Sequence, residues 1–272
     1  MKTKNKIFLG ALLGLTLTAA AVRAFCLLTR YDPSLGYLTN GFVSFLPALL
    51  LCVGSVAALS APFLCEPSAS PCKATSKAES LLHTLTAALF FFGGMLFLIN
   101  RTTNYMILYI ITGLLSSAFA IFSFVTCTPD TSKSATTVEN LRPWFHLAGI
   151  FTLLLLLVSS YFDMTVTING PFATPTIFSV LCGCVFFLME TRADIGRPLG
   201  RLHVAAASLA CFFCLAVGAS SLAFCLLGDA GSAVTITEPA RPMLFLAVGL
   251  SAAARLITLL RSDSADVKTE EK

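Results

Sequence analysis

The sequence predicts an all-α protein: a polytopic membrane bundle of about eight transmembrane helices, with both termini in the cytoplasm. Three observations predict it. Over 272 residues the chain is 56% hydrophobic and 12% charged, with a mean hydropathy of +0.84, whereas soluble domains carry about 25% charged residues. The apolar residues fall in blocks that can cross a bilayer, which takes a helix roughly 20 residues. The basic residues between the blocks are dense in every second gap, as membrane orientation requires.

The spans are 7–28, 42–64, 81–99, 104–127, 144–162, 174–190, 202–227 and 243–260. Each is helical, because lipid offers no partner to exposed backbone N–H and C=O groups. The first follows Lys2, Lys4 and Lys6, and Val22-Arg23-Ala24 resembles a signal-peptide cleavage site. The apolar stretch continues through Phe25 to Leu28, which favours an uncleaved helix; cleavage would leave seven helices in the same orientation. Pro47 in the second span is a kink position. Gly93-Gly94 in the third span, Gly113 with Ser116-Ser117 in the fourth and Ala205 to Ala210 in the seventh suit close helix packing. The fifth span is the clearest, with Leu153 to Leu157 at its centre. The sixth is short for a crossing, so it sits untilted or borrows flanking residues. Segments 65–80 and 128–143 are rich in Ser, Thr and Pro and read as loops. Residues 1–261 make one transmembrane domain, and 262–272 a charged, disordered tail.

Orientation follows from the loop charges. With the N-terminus inside, the inner set is Lys2, Lys4, Lys6, Lys73, Lys77, Lys133, Arg142, Arg192, Arg197, Arg201, Arg261, Lys268 and Lys272, thirteen in all. The outer set is Arg30, Arg101 and Arg241. The same distribution argues against nucleic acid as a partner of this +4 chain, because the charges form no basic footprint on one folded face. Membrane lipids are the expected partner, and the oligomeric state is not legible.

Charge inside a span is expensive and often functional. Arg23 and Arg255 are such charges. Arg255 lies within snorkelling reach of the inner interface, where Glu190 is placed to pair with it. Arg23 lies near the outer end of the first span, where Asp163 or Asp32 is placed to answer it. The plain reading makes both arginines anchors or interhelical staples. The alternative makes Arg23, Asp163, Glu190 and Arg255 the lining of a substrate or ion pathway. Asn169-Gly170-Pro171 is turn chemistry that closes an outer hairpin between the fifth and sixth spans. Arg192, Arg197 and Arg201, with Pro198, form a basic inner link suited to lipid headgroup phosphates.

His83, His146 and His203 share one depth near the inner face. They are weak candidates for a metal site or proton relay, since equal depth does not make helices neighbours. Of the ten cysteines, Cys52, Cys182, Cys184, Cys211 and Cys214 lie inside spans and act as small apolar residues. Cys65, Cys72 and Cys127 face the reducing side, and only Cys26 and Cys225 lie where a bridge is conceivable. No cofactor or nucleotide motif is present. The spans hold no nucleophile–base set, so no enzymatic activity is expected.

Two stretches carry a resemblance. One is Thr29-Arg30-Tyr31-Asp32-Pro33-Ser34-Leu35-Gly36. The other runs from Tyr161 through Asp163 and Asn169 to Pro171, then Glu190-Thr191-Arg192 and Gly196-Arg197-Pro198-Leu199-Gly200-Arg201. Together they resemble a family of bacterial multi-pass membrane proteins without an assigned function. The resemblance implies a helical fold in the bacterial cytoplasmic membrane and carries over no activity, substrate or site. Two function classes follow from the residues: a transporter or permease subunit, or a non-enzymatic membrane scaffold or sensor acting through cytoplasmic loops. The transporter reading expects a cavity reaching mid-membrane between the first, fifth, sixth and eighth helices. The scaffold reading expects a solid apolar bundle.

Overall fold

The computed structural model describes residues 3–32, 36–39, 41–65, 77–99, 106–127, 135–162, 170–196, 200–228 and 239–261. Among them are eight long helices: α1 Thr3–Arg30, α2 Phe42–Leu64, α3 Lys77–Ile99, α4 Met106–Cys127, α5 Ala135–Phe162, α6 Ala173–Asp194, α7 Gly200–Leu227 and α8 Ala240–Leu260. All eight contain a stretch long and apolar enough to cross a membrane. The chain is an integral membrane protein with an all-α, multi-pass fold.

Most helices differ from the expected spans by a few residues, and three of the extensions share one reason. Hydropathy marks where lipid contact ends, and a helix can run on beyond that point. α6 borrows Thr191 to Asp194 and reaches 22 residues, about 33 Å at 1.5 Å per residue, so it is not short. α5 begins at Ala135 and carries Pro143 inside it, so much of the segment read as a loop is a helical extension. α3 likewise starts at Lys77. The tail 262–272 lies outside the described residues.

α7 and α8 form the centre. Of their most apolar stretches, 56% and 61% of residues are buried, against 17% for α2. α7 packs on α1, α2, α6 and α8, while α3, α4, α5 and α6 form an arc in which each helix packs on the next and α3 closes onto α8. Close approach is permitted where side chains vanish. A Cβ on Gly94 would lie 2.9 Å from the Gly113 carbonyl, and one on Gly113 2.8 Å from the Gly94 carbonyl, so α3 and α4 touch backbone to backbone. Gly218 and Gly249 do the same for α7 and α8.

Asn5 Nδ2 donates to the Leu260 carbonyl at 3.0 Å, so the start of α1 and the end of α8 lie at one end of the bundle, the terminal end. At the opposite, far end a small hairpin follows α1. Strand β1 (Tyr31–Asp32) pairs antiparallel with β2 (Tyr37–Leu38), in the register Tyr31 to Leu38 and Asp32 to Tyr37. Gly36, at φ 70°, supplies the left-handed residue of its turn. The rings of Tyr31, Phe172 and Phe224 meet with centroids 5.2 to 5.6 Å apart, which pins the hairpin to the start of α6 and the end of α7.

Candidate functional site

Two polar centres lie inside this apolar frame, one at each end. At the terminal end, Glu190 near the end of α6 meets His203 near the start of α7 and Arg255 on α8. His203 Nε2 lies 2.6 Å from Glu190 Oε1, and Arg255 Nε lies 3.0 Å from the same oxygen. The Arg255 N–H is not aimed at that oxygen as a hydrogen bond requires, so this contact is an ion pair, while His203 makes the directed bond. The His203 and Glu190 side chains are nearly shut off from solvent, at 2% and 10% exposure.

A second pair extends the centre. His146 Nδ1 on α5 lies 2.8 Å from Asp194 Oδ2, one helical turn beyond Glu190. The His146 ring also stacks on Phe187, 6.1 Å between centroids. His83 on α3 is half-buried within electrostatic range of Glu190, Glu79 and Arg255. Arg261 Nη1 lies 3.8 Å from Glu79 Oε2. The expected Glu190–Arg255 pair is therefore present in the geometry. Of the three histidines, which depth alone could not make neighbours, His203 and His146 each pair with an acid of α6, and His83 lies within electrostatic range of Glu190. Among the described residues no group of three or more His, Cys, Asp or Glu side chains is arranged to hold a metal ion. Arg192 and Arg201 are exposed; Arg197 lies outside the described residues.

In the far half, Arg23 of α1 is 3% exposed. Of the acids the sequence offered, Asp163 lies outside the described residues and Asp32 pairs within the far-end hairpin. Four neutral acceptors hold the guanidinium. Nη1 donates to the hydroxyls of Ser220 and Ser221 (3.0 Å to the latter) and, at 3.4 Å, to the Val217 carbonyl; Nη2 donates to the Pro171 carbonyl at 3.0 Å. The guanidinium also lies 5.8 Å from the centre of the Phe172 ring. Arg23 thus staples α1 to α7 and to the turn before α6. Ser220-Ser221 in apolar α7 was a visible signal for this staple, but nothing in the sequence joins α1 to α7.

Arg23 also lines a cavity of about 560 Å³. Its walls come from α1, the β2 strand, α2, the start of α6, and Phe213 of α7. On α2 the lining runs from Gly41 to Ser55, about 20 Å of helix at 1.5 Å per residue, so the cavity reaches mid-bundle. The transporter expectation was a cavity between the first, fifth, sixth and eighth helices; this one shares α1 and α6 with it and adds α2 and α7. Glu190 and Arg255 do not line it, because both are spent on the terminal-end centre. α2 was missed because its polar content, Ser44, Ser55 and Ser60, is slight. A second cavity, of about 60 Å³ beside Arg241 and Ser221, holds no more than a few waters.

Cys26 and Cys225 are not joined in a disulfide, and Cys26 Sγ donates to the Val43 carbonyl at 3.5 Å. No protein-family model, curated protein or solved structure matches the chain.

Proposed function

We propose that the protein is a transporter, or the membrane-embedded subunit of a permease, whose cargo occupies the cavity between α1, α2, α6 and α7. One observation carries this reading: a cavity of about 560 Å³ inside an apolar bundle, with one guanidinium in its wall. Ligand sites run roughly 300 to 1,000 Å³, mostly apolar with a few placed polar groups, and this cavity has that size and lining. Apolar packing is tight through α7 and α8, so this recess beside α2 stands apart from the rest of the bundle. With the charge bias taken as the orientation, it opens in the outer half of the membrane.

The scaffold reading draws support from the solid packing of α3, α4, α7 and α8, but it leaves the cavity without a role. The test is uptake by proteoliposomes exposed to a mixed metabolite and lipid extract, with the lumen and inner leaflet compared by mass spectrometry. Ala48 lines the cavity and is exposed, so Ala48→Trp fills the void without entering the core. Species enriched by the wild type and not by Ala48→Trp support transport. Identical profiles for the two proteins favour the scaffold.

A further inference from the structure

We infer that the cavity takes an anionic amphiphile from the surrounding bilayer, with the head group on Arg23 and the apolar chain between α2 and α6. This deepens the transporter reading and rests on it for the cargo's purpose, though not for its binding.

Charge is the first ground. Arginine keeps its proton at any depth, and a buried cation without a counter-ion is penalised by several kcal/mol. Arg23 has no carboxylate partner among the described residues, only neutral oxygens. Of its five N–H donors, Nε–H and one Nη2 hydrogen are not committed to those oxygens, and the residue borders the cavity. An oxyanion there supplies both the missing charge and the missing acceptors.

Shape is the second. Leu27, Phe45, Leu51, Phe178 and Phe213 make the walls apolar. The volume of about 560 Å³ equals roughly eighteen waters at about 30 Å³ each, far more than a small inorganic anion fills. An apolar tail is the natural occupant of the remainder.

Access is the third. α2 packs on α1 and α7, and α6 on α5 and α7, but α2 and α6 do not pack on each other. Phe45 on one lip and Phe178 on the other line the cavity and are 73% and 50% exposed. The opening therefore faces sideways, into lipid. Arg23 lies seven residues before the end of α1, about 10 Å along the axis, so a bound head group is drawn below the interface where lipid head groups ordinarily rest.

The experiment is native mass spectrometry of the full-length protein from mild detergent. It is titrated with equal phosphatidylglycerol and phosphatidylcholine, and separately with inorganic phosphate. The wild type is expected to retain phosphatidylglycerol about tenfold better, a difference of about 1.4 kcal/mol. Arg23→Gln should erase that preference, Arg23→Lys should keep part of it, and Ala48→Trp should lower retention of both lipids. Equal retention of the two lipids by the wild type overturns the inference, as does a preference that survives in Arg23→Gln. Inorganic phosphate that displaces phosphatidylglycerol at equal concentration overturns the lipid class. If Arg23→Gln does not fold, Ala48→Trp decides: unchanged phosphatidylglycerol retention places the lipid elsewhere and overturns the inference. A cavity-dependent uptake of some other species, without anionic selectivity, sinks this inference and leaves the transporter reading intact. Anionic selectivity without uptake does the reverse.

Discussion

Glu190 and His203 meet at 2.6 Å across the α6–α7 interface, and Arg255 brings α8 to the same carboxylate oxygen. One acid thus ties together three helices at the terminal end. Removing it leaves the buried His203 ring without its hydrogen-bond partner and the Arg255 guanidinium without its counter-ion, which is more damaging than losing a bond at a surface.

Glu190→Ala should therefore lower the unfolding free energy by about 2 kcal/mol, the scale of a charged hydrogen bond. Arg255 softens the loss, because it is a quarter exposed and its long side chain can reach toward the interface. Glu190→Gln retains a hydrogen-bond partner for His203 and should cost less. His203→Ala with Glu190→Leu and Arg255→Leu should recover part of the stability, since an apolar replacement leaves no stranded group. Thermal melts of detergent-solubilised protein rank these variants. A triple variant no better than Glu190→Ala would show that the centre is not held by ion pairing.

Glycine marks the central interface. A Cβ on Gly249 would lie 2.8 Å from the Leu215 backbone nitrogen, and one on Gly218 2.9 Å from the Leu246 backbone nitrogen. Backbone cannot rotate aside as a side chain can. Gly249→Ala should thus push α7 and α8 apart and destabilise by about 1 to 3 kcal/mol, as overpacking does. A Cβ on Gly14 of α1 would meet nothing within 4 Å, and Gly14→Ala should be neutral or stabilising by up to about 1 kcal/mol. Melting curves of the two side by side check the contrast; equal shifts would argue against a tight α7–α8 seam.

The membrane crossings were legible because burial in lipid leaves a mark on every residue of a span. α2 was bounded at 42 and 64, as observed. The polar extension of α5 from Ala135 was not, because a helix outside lipid has no hydropathy mark. Depth was legible too, and it put Glu190 and Arg255 at one level. Azimuth was not. Which face of α1 meets α7, and which helices leave a gap, depends on packing choices that no single span reveals. Arg23 was therefore singled out without Ser220, Ser221 and Pro171, and the gap beside α2 was not foreseen.

The three-ring contact of Tyr31, Phe172 and Phe224 holds the far-end hairpin above the cavity. Aromatic pairs add about 0.5 to 1.5 kcal/mol beyond their buried area, and Phe172 takes part in two of these three contacts as well as facing Arg23. Phe172→Ala should loosen the hairpin more than it lowers global stability. Hydrogen exchange at the Gly36 and Thr39 amides, which bond the Asp32 and Arg30 carbonyls at 2.8 Å, reads this directly. Those amides should exchange several-fold faster in the variant, while α7 and α8 stay protected. Unchanged protection would mean that the two-strand pairing holds itself.

Both ends of the described chain lie together, joined by Asn5 and Leu260, so one reporter at either terminus reads the same compartment. The thirteen-to-three distribution of loop charges predicts that this compartment is the cytoplasm. A fluorescent-protein fusion after Lys272 should accordingly be bright, and an alkaline phosphatase fusion there inactive. Phosphatase fused after Arg101, between α3 and α4, should be active. Loop charge sets orientation only near the span ends, so replacing Lys2, Lys4 and Lys6 with Gln should leave most molecules correctly oriented, because the later inner loops still carry Arg192, Arg197 and Arg201. If the C-terminal phosphatase is active in the unaltered protein, the bundle is inverted, and the cavity beside Arg23 then opens toward the inner leaflet.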